Sequence, residues 1–174
     1  ELPYQLDAVN AVANLFAGQP NHVRTFDLTS QGTGRFVGNG LDLDWEKLGR
    51  NLNAVQKQNG QPETEIGADR WNFSLEMETG TGKTYVYLRT IYELNRRYGW
   101  KKFVIVVPSV PIREGVLKSL EITKAHFDWV FGRPVMRYAE YSSTRLSDLR
   151  AFAVNDHIEI LVINIQSFEK DGNV

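Results

Sequence analysis

Two glycines set one residue apart and followed at once by a lysine and a threonine, Gly80-Thr81-Gly82-Lys83-Thr84, constrain the fold of this chain more than any other stretch. Glycine reaches backbone conformations that turn consecutive N–H groups toward one concave side, and a helix starting just after it points its positive dipole end into the same concavity. Both flanks are in place. The apolar Phe73 to Leu75 run predicts a strand before the turn, and Lys83 to Tyr98 keeps helical spacing after it. Strand, glycine turn and helix in that order are the setting of a phosphate-cradling loop. At ordinary composition the pattern Thr-Gly-x-Gly-Lys-Ser/Thr arises in a chain this long about once in a few thousand, which leaves a simple helix-capping turn as the weaker reading. In such a loop Thr79, Gly80, Thr81 and Gly82 supply the backbone, and Lys83 is a point charge for the β- and γ-phosphates. Thr84 supplies a hydroxyl for the bridging Mg²⁺. The expected cofactors are therefore ATP and Mg²⁺, with Lys83 and Thr84 as the catalytic candidates. One departure exists: the strict pattern has glycine six residues before the lysine, where this chain has Met77.

The remaining patterning predicts an α/β fold. Leu6, Val9, Ala13 and Phe16 share a helical face within residues 3 to 17, with Pro3 suited to the first turn and Gly18 just past the end. Residues 19–70 change character: glycines and prolines recur, and only Asp44 to Gln58 reads as helix, so this segment is expected to be a partly irregular insertion. From Trp71 onward the order becomes regular. Phe103 to Val107 is apolar throughout, as a central parallel strand buried on both faces should be. A helix near Ile112 to Leu120, a strand at Val135 to Tyr138, a helix from Thr144 to Val154 and a strand from Ile158 to Ile163 continue the alternation. Strands alternating with helices predict a mostly parallel sheet flanked by right-handed crossovers. The expected division is an opening helix over 1–18, the insertion over 19–70 and a P-loop lobe over 71–174.

Composition excludes several classes. The 174 residues suit one domain, and no apolar run approaches the about 18 residues a membrane span needs. Twenty Lys and Arg against 21 Asp and Glu give no global basic field, so any contact with DNA must be local. With no cysteine, thiolate zinc sites and disulfide frameworks are excluded, and a reducing compartment is expected. His22, His126 and His157 have no ligand spacing. Without a signal-like start, the chain reads as a cytoplasmic piece of a longer protein.

Glu76-Met77-Glu78 running into the loop, with Tyr85 to Thr90 after it, resembles the Res subunit of type III restriction enzymes, a branch of the superfamily 2 helicases. That resemblance implies a RecA-like lobe from a bacterial, DNA-dependent ATPase whose parent also cuts DNA at specific sites. Its implied partners are double-stranded DNA and a modification (methyltransferase) subunit. Pro3 to Val9 is similar to the superfamily's opening helix, so Gln5 is the implied reader of the adenine edge. Val106 to Val116 is similar to the motif that touches the DNA backbone after the second strand, which puts Ser109 and Arg113 forward. Gln166 and Ser167 follow for the segment after the last strand. Helix cap and solvated charge remain open for Ser109 and Arg113, and exposed helical glutamine for Gln5.

Other features carry less. Gly32 to Gly38 has one residue too many for a dinucleotide fingerprint and reads as a flexible loop. Trp45, Trp71, Trp100 and Trp129 read as packing residues, and Arg96-Arg97 with Lys101-Lys102 as a solvated helix end. A motor also needs an acidic pair for Mg²⁺ and water and an arginine finger; no Asp-Glu dipeptide occurs in the chain. Binding without hydrolysis is expected of these residues alone, the lobe being read as cut short before its acidic motif. Open alternatives are another superfamily 2 motor, such as a type I restriction motor or a repair helicase, and a non-catalytic nucleotide-binding or partner-docking module.

Overall fold

A computed structural model of the chain describes residues 2–22, 24–27, 35–65, 72–142 and 144–166. These fall into two compact units, one of residues 1–21 with 41–98 and one of residues 22–40 with 99–174. Trp71, Ser167 and the Gly32 to Gly34 part of the glycine-rich loop lie outside the described residues.

The first unit is helical. Helix α1 (Pro3–Asn14) starts on its proline and gives way to a turn that ends at Gly18, whose φ of 97° lies in the left-handed region. Helix α2 (Trp45–Gln58) is capped by Asp44, which accepts from the Lys47 N–H at 2.6 Å. Helix α3 (Lys83–Tyr98) spans the predicted residues. Val9 and Ala13 of α1, Leu48 of α2 and Val86, Leu88, Ile91, Tyr92 and Leu94 of α3 are buried. Asn51 of α2 donates to the carbonyls of Leu15 and Ala17 at 2.8 and 2.9 Å, satisfying acceptors that the end of α1 leaves without helical partners. Phe73 to Leu75 corrects the sequence reading: residues 72–78 form no strand. A strand exists only where a neighbour completes its ladder, and Leu75 here is exposed.

The second unit is α/β, with the parallel sheet and flanking helices expected of a RecA-like lobe. Strands β1 (Arg24–Asp27) and β2 (Arg35–Gly38) pair antiparallel within the segment expected to be a partly irregular insertion. Strand β3 (Lys102–Val107), helix α4 (Val110–Phe131), strand β4 (Met136–Glu140), helix α5 (Leu146–Val154) and strand β5 (Ile158–Asn164) follow. The sheet order is β3-β5-β4, all parallel, with Phe103 opposite Ile160 and Met136 opposite Ile158. The first crossover skips the position of β5 and the second returns to it, so right-handed connections put α4 and α5 on opposite faces. β5 is buried along its whole length, as a strand covered on both faces should be.

That role was expected of the Phe103 to Val107 strand. Among the described residues β3 has one neighbour, and Val104 and Val106 are about half exposed. Apolar character alone did not separate the inner strand from its neighbour. Helix α4 runs eleven residues past the predicted Leu120, because Phe127 continues the buried face of Val116 and Leu120 until Gly132 ends it at a φ of 76°. Of the described tryptophans only Trp100 packs as expected, its indole N–H donating to the Gly40 carbonyl at 2.9 Å. Trp45 and Trp129 are exposed. No described helix is long and apolar enough to cross a membrane.

Candidate nucleotide-binding site

The loop before α3 is built as its glycines predict. Gly80 and Gly82 adopt φ values of 80° and 88°, which L side chains rarely reach. The Thr81 hydroxyl and the Lys83 ammonium both donate to the Glu78 carbonyl, at 2.7 and 2.8 Å, closing the loop on itself. The Thr81 carbonyl accepts from the Tyr4 hydroxyl at 3.2 Å and the Gln5 side-chain amide at 3.0 Å. The Gln5 amide oxygen accepts from the Leu2 N–H at 3.2 Å. An amide has two N–H donors and an oxygen with two lone pairs, so each end of Gln5 keeps one further bonding position beyond these contacts.

Thr79, Gly80 and Lys83 are exposed, whereas Thr84 is half-buried and hydrogen-bonded to the Tyr87 phenol. Burial pushes that phenol's pKa up, and the Thr84 hydroxyl acts against the shift. Three observations test the fit to a polyphosphate. A Cβ on Gly80 would meet nothing within 4 Å, so the loop's outer side is open. The first turn of α3 holds no acidic residue to oppose an anion at the helix N-terminus. Lys83 is at hand as the cation. The residues fit the group. Beside the loop an open groove of about 1430 Å³ runs from Glu78 and Thr81 past Tyr4 and Ala8 to Leu52 and Phe73.

The two glycines differ in their surroundings. A Cβ on Gly82 would stand 2.6 Å from the Gln5 amide nitrogen. Gly80→Ala is therefore expected to strain the backbone alone, while Gly82→Ala also displaces Gln5 from the Thr81 carbonyl. If the loop holds a nucleotide and Gln5 reads its base, titrations should show Gly80→Ala weakening ATP and GTP alike, and Gly82→Ala removing discrimination between them. Unchanged discrimination in Gly82→Ala would contradict that role for Gln5.

Arg97 is no solvated charge, which corrects the sequence reading, whereas Arg96 stays 63% exposed as expected. Both bind Glu93, whose side chain is 6% exposed. Burial would raise the Glu93 pKa, but hydrogen bonds from Arg96 and Arg97 outweigh it and hold the carboxyl below the ordinary range. Arg97 also donates to Asn14 Oδ1 at 2.8 Å and Asn10 Oδ1 at 2.7 Å, and the Tyr98 hydroxyl donates to the Ala13 carbonyl at 2.8 Å. Sequence reasoning missed this cluster and Tyr4. The legible signals were a Glu with arginines three and four residues on, and two asparagines four apart on one face.

In the second unit Ser109 precedes α4 in extended conformation with no side-chain capping bond, although its carbonyl accepts from the Arg113 N–H at 3.0 Å. Arg113 is 14% exposed and pairs with Glu114 at 3.0 Å and Glu140 at 2.6 Å. Gln166 is exposed two residues past β5. Among the described residues no group of three His, Asp or Glu is arranged to hold a metal ion.

The family model described as "Type III restriction enzyme, res subunit" matches residues 2–173. The chain is 34% identical over 141 residues to the type III restriction-modification enzyme EcoPI Res subunit of Escherichia phage P1, covering 79% of this chain and 14% of that protein. It is 34% identical over 142 residues to the EcoP15I Res subunit of Escherichia coli, with the same coverage. It is 49% identical over 61 residues to the StyLTI Res subunit of Salmonella typhimurium strain LT2, covering 34% of this chain and 6% of that one. The chain thus spans about 14% of the length of the first two relatives.

Proposed function

Because the chain belongs to the family of type III restriction enzyme Res subunits, we propose that its first unit is the ATP-binding part of a DNA-dependent motor, with the loop from Glu78 to Thr84 holding the phosphates. The observation that carries this reading is the shared Thr81 carbonyl: Tyr4 and Gln5 fix the loop to α1, while Lys83 is exposed and the space beside Gly80 is open. Mg²⁺ bound with the nucleotide would neutralise charge between the β- and γ-phosphates. Thr84 is the proposed ligand from this chain and exchanges its Tyr87 contact for that role. Lys83 leaves the Glu78 carbonyl for a phosphate oxygen. Gln5 presents its remaining donor and acceptor to the base edge, for which adenine offers a matching acceptor and donor.

In the whole protein, ATP use at this lobe would drive movement or switching on double-stranded DNA, in company with a modification subunit and a separate cutting domain. Ser109, Arg113, Gln166 and Ser167 are the proposed DNA-backbone contacts, and Arg113 reaches a phosphate only by releasing Glu140. The base reading has a direct test. The protein should bind ATP more tightly than GTP, and Gln5→Ala should erase the preference, by about 3- to 10-fold if one net hydrogen bond carries it. Equal discrimination in Gln5→Ala and the parent protein would return Gln5 to a purely structural role.

A further inference from the structure

We propose that Arg97 is a positioning residue for base recognition, holding α1 so that Tyr4 and Gln5 stay aligned on the Thr81 carbonyl; this rests on the reading of Gln5 given above. α1 touches α3's own loop at one end and α3's last turn at the other. At the loop end, Tyr4 and Gln5 donate to Thr81. At the far end, Arg97 spreads its donors over three acceptors, the carboxylate of Glu93 and the amide oxygens of Asn10 and Asn14. A guanidinium is a planar fork with fixed donor directions, so binding Asn10 and Asn14 together sets both the height and the rotation of α1 against α3. Glu93 fixes the fork in turn, since Arg96 holds its other oxygen at 3.1 Å.

A helix rises about 1.5 Å per residue and is stiff over this distance, so a rotation or slide at residues 10 to 14 is carried to residue 5. Gln5 has little slack. Its amide nitrogen sits 3.0 Å from the Thr81 carbonyl and against the unsubstituted face of Gly82, and hydrogen bonds weaken steeply with misalignment. The Tyr98 bond to the Ala13 carbonyl and the edge-on contact of Phe16 with Tyr98 keep the helices packed when the fork is removed. Register, rather than folding, is what Arg97 adds.

The test uses the full-length protein and three ligands: Mg-ATP, Mg-GTP and Mg-tripolyphosphate, which has phosphates and no base. Asn10→Ala with Asn14→Ala removes the acceptors and leaves the Glu93 pair intact. Arg97→Lys keeps the charge and loses the fork. Both variants should hold tripolyphosphate within about twofold of the parent and lose about 3- to 10-fold in ATP affinity, with the ATP-to-GTP ratio falling by the same factor. A ratio unchanged in both variants, or tripolyphosphate weakened as much as ATP, would overturn the positioning role. Gln5→Ala separates the two levels. If Gln5→Ala leaves the ratio intact, the base reading fails and the positioning role with it. If Gln5→Ala erases the ratio while the Asn10 and Asn14 substitutions and Arg97→Lys both keep it, the positioning role fails alone.

Discussion

Residues 1–174 by themselves, saturated with Mg-ATP and DNA, are expected to bind nucleotide and not to turn it over at a motor rate. Phosphoryl transfer in P-loop motors needs an acidic group that completes the metal shell and positions water, and an arginine that neutralises charge as the γ-phosphoryl leaves. No Asp-Glu dipeptide occurs in these residues, and β5, a strand after which such a pair could stand, runs out into Asn164. Arg96, Arg97 and Arg113 already neutralise carboxylates. An arginine finger alone is worth about 10³ to 10⁵ in rate. In the proposed site, Lys83 and Thr84 without those partners would hold ground-state and transition-state phosphates about equally, which would contribute affinity but little acceleration. A phosphate-release assay on the purified residues, with Lys83→Ala as the contamination control, reads the difference. Steady turnover that disappears in Lys83→Ala would mean that a catalytic acid lies within this stretch.

Lys83→Ala in the full-length protein should weaken Mg-ATP binding about 10- to 100-fold, the range expected when a charged hydrogen-bond donor is lost. The side chain is exposed and its one described contact is the Glu78 carbonyl, so its removal leaves the buried parts of α3 untouched. Lys83→Arg should not restore binding, because a forked guanidinium cannot take the place of a compact ammonium in a loop closed at 2.8 Å. Affinity unchanged in Lys83→Ala, measured by calorimetric titration with the circular-dichroism spectrum intact, would contradict the assignment.

The sequence made some of this legible and hid the rest for physical reasons. Gly80, Gly82 and Lys83 could be read because few residues tolerate those backbone angles and few chains place a lysine at a helix start behind them. Helix α3 was read to its ends because its apolar spacing runs unbroken from Val86 to Tyr98. The Phe73 to Leu75 strand was wrongly expected because two apolar residues around a serine do not reveal whether a pairing neighbour exists. The β1-β2 hairpin escaped because its four-residue strands are too short for alternation to register. Arg97 looked like a surface charge because its partners Asn10 and Asn14 are more than 80 residues away in sequence. Arg113 was left between solvated charge and DNA contact, and the structure adds a partner, Glu140, that spacing could not supply.

The central claim, that the Glu78 to Thr84 loop holds a triphosphate, is tested most directly by a crystal structure of the protein with Mg²⁺ and a non-hydrolysable ATP analogue. The account predicts phosphate oxygens on the backbone N–H groups of the loop and Lys83 Nζ moved off the Glu78 carbonyl, from its present 2.8 Å, onto a phosphate. An analogue bound elsewhere, with Lys83 still on Glu78, would contradict it.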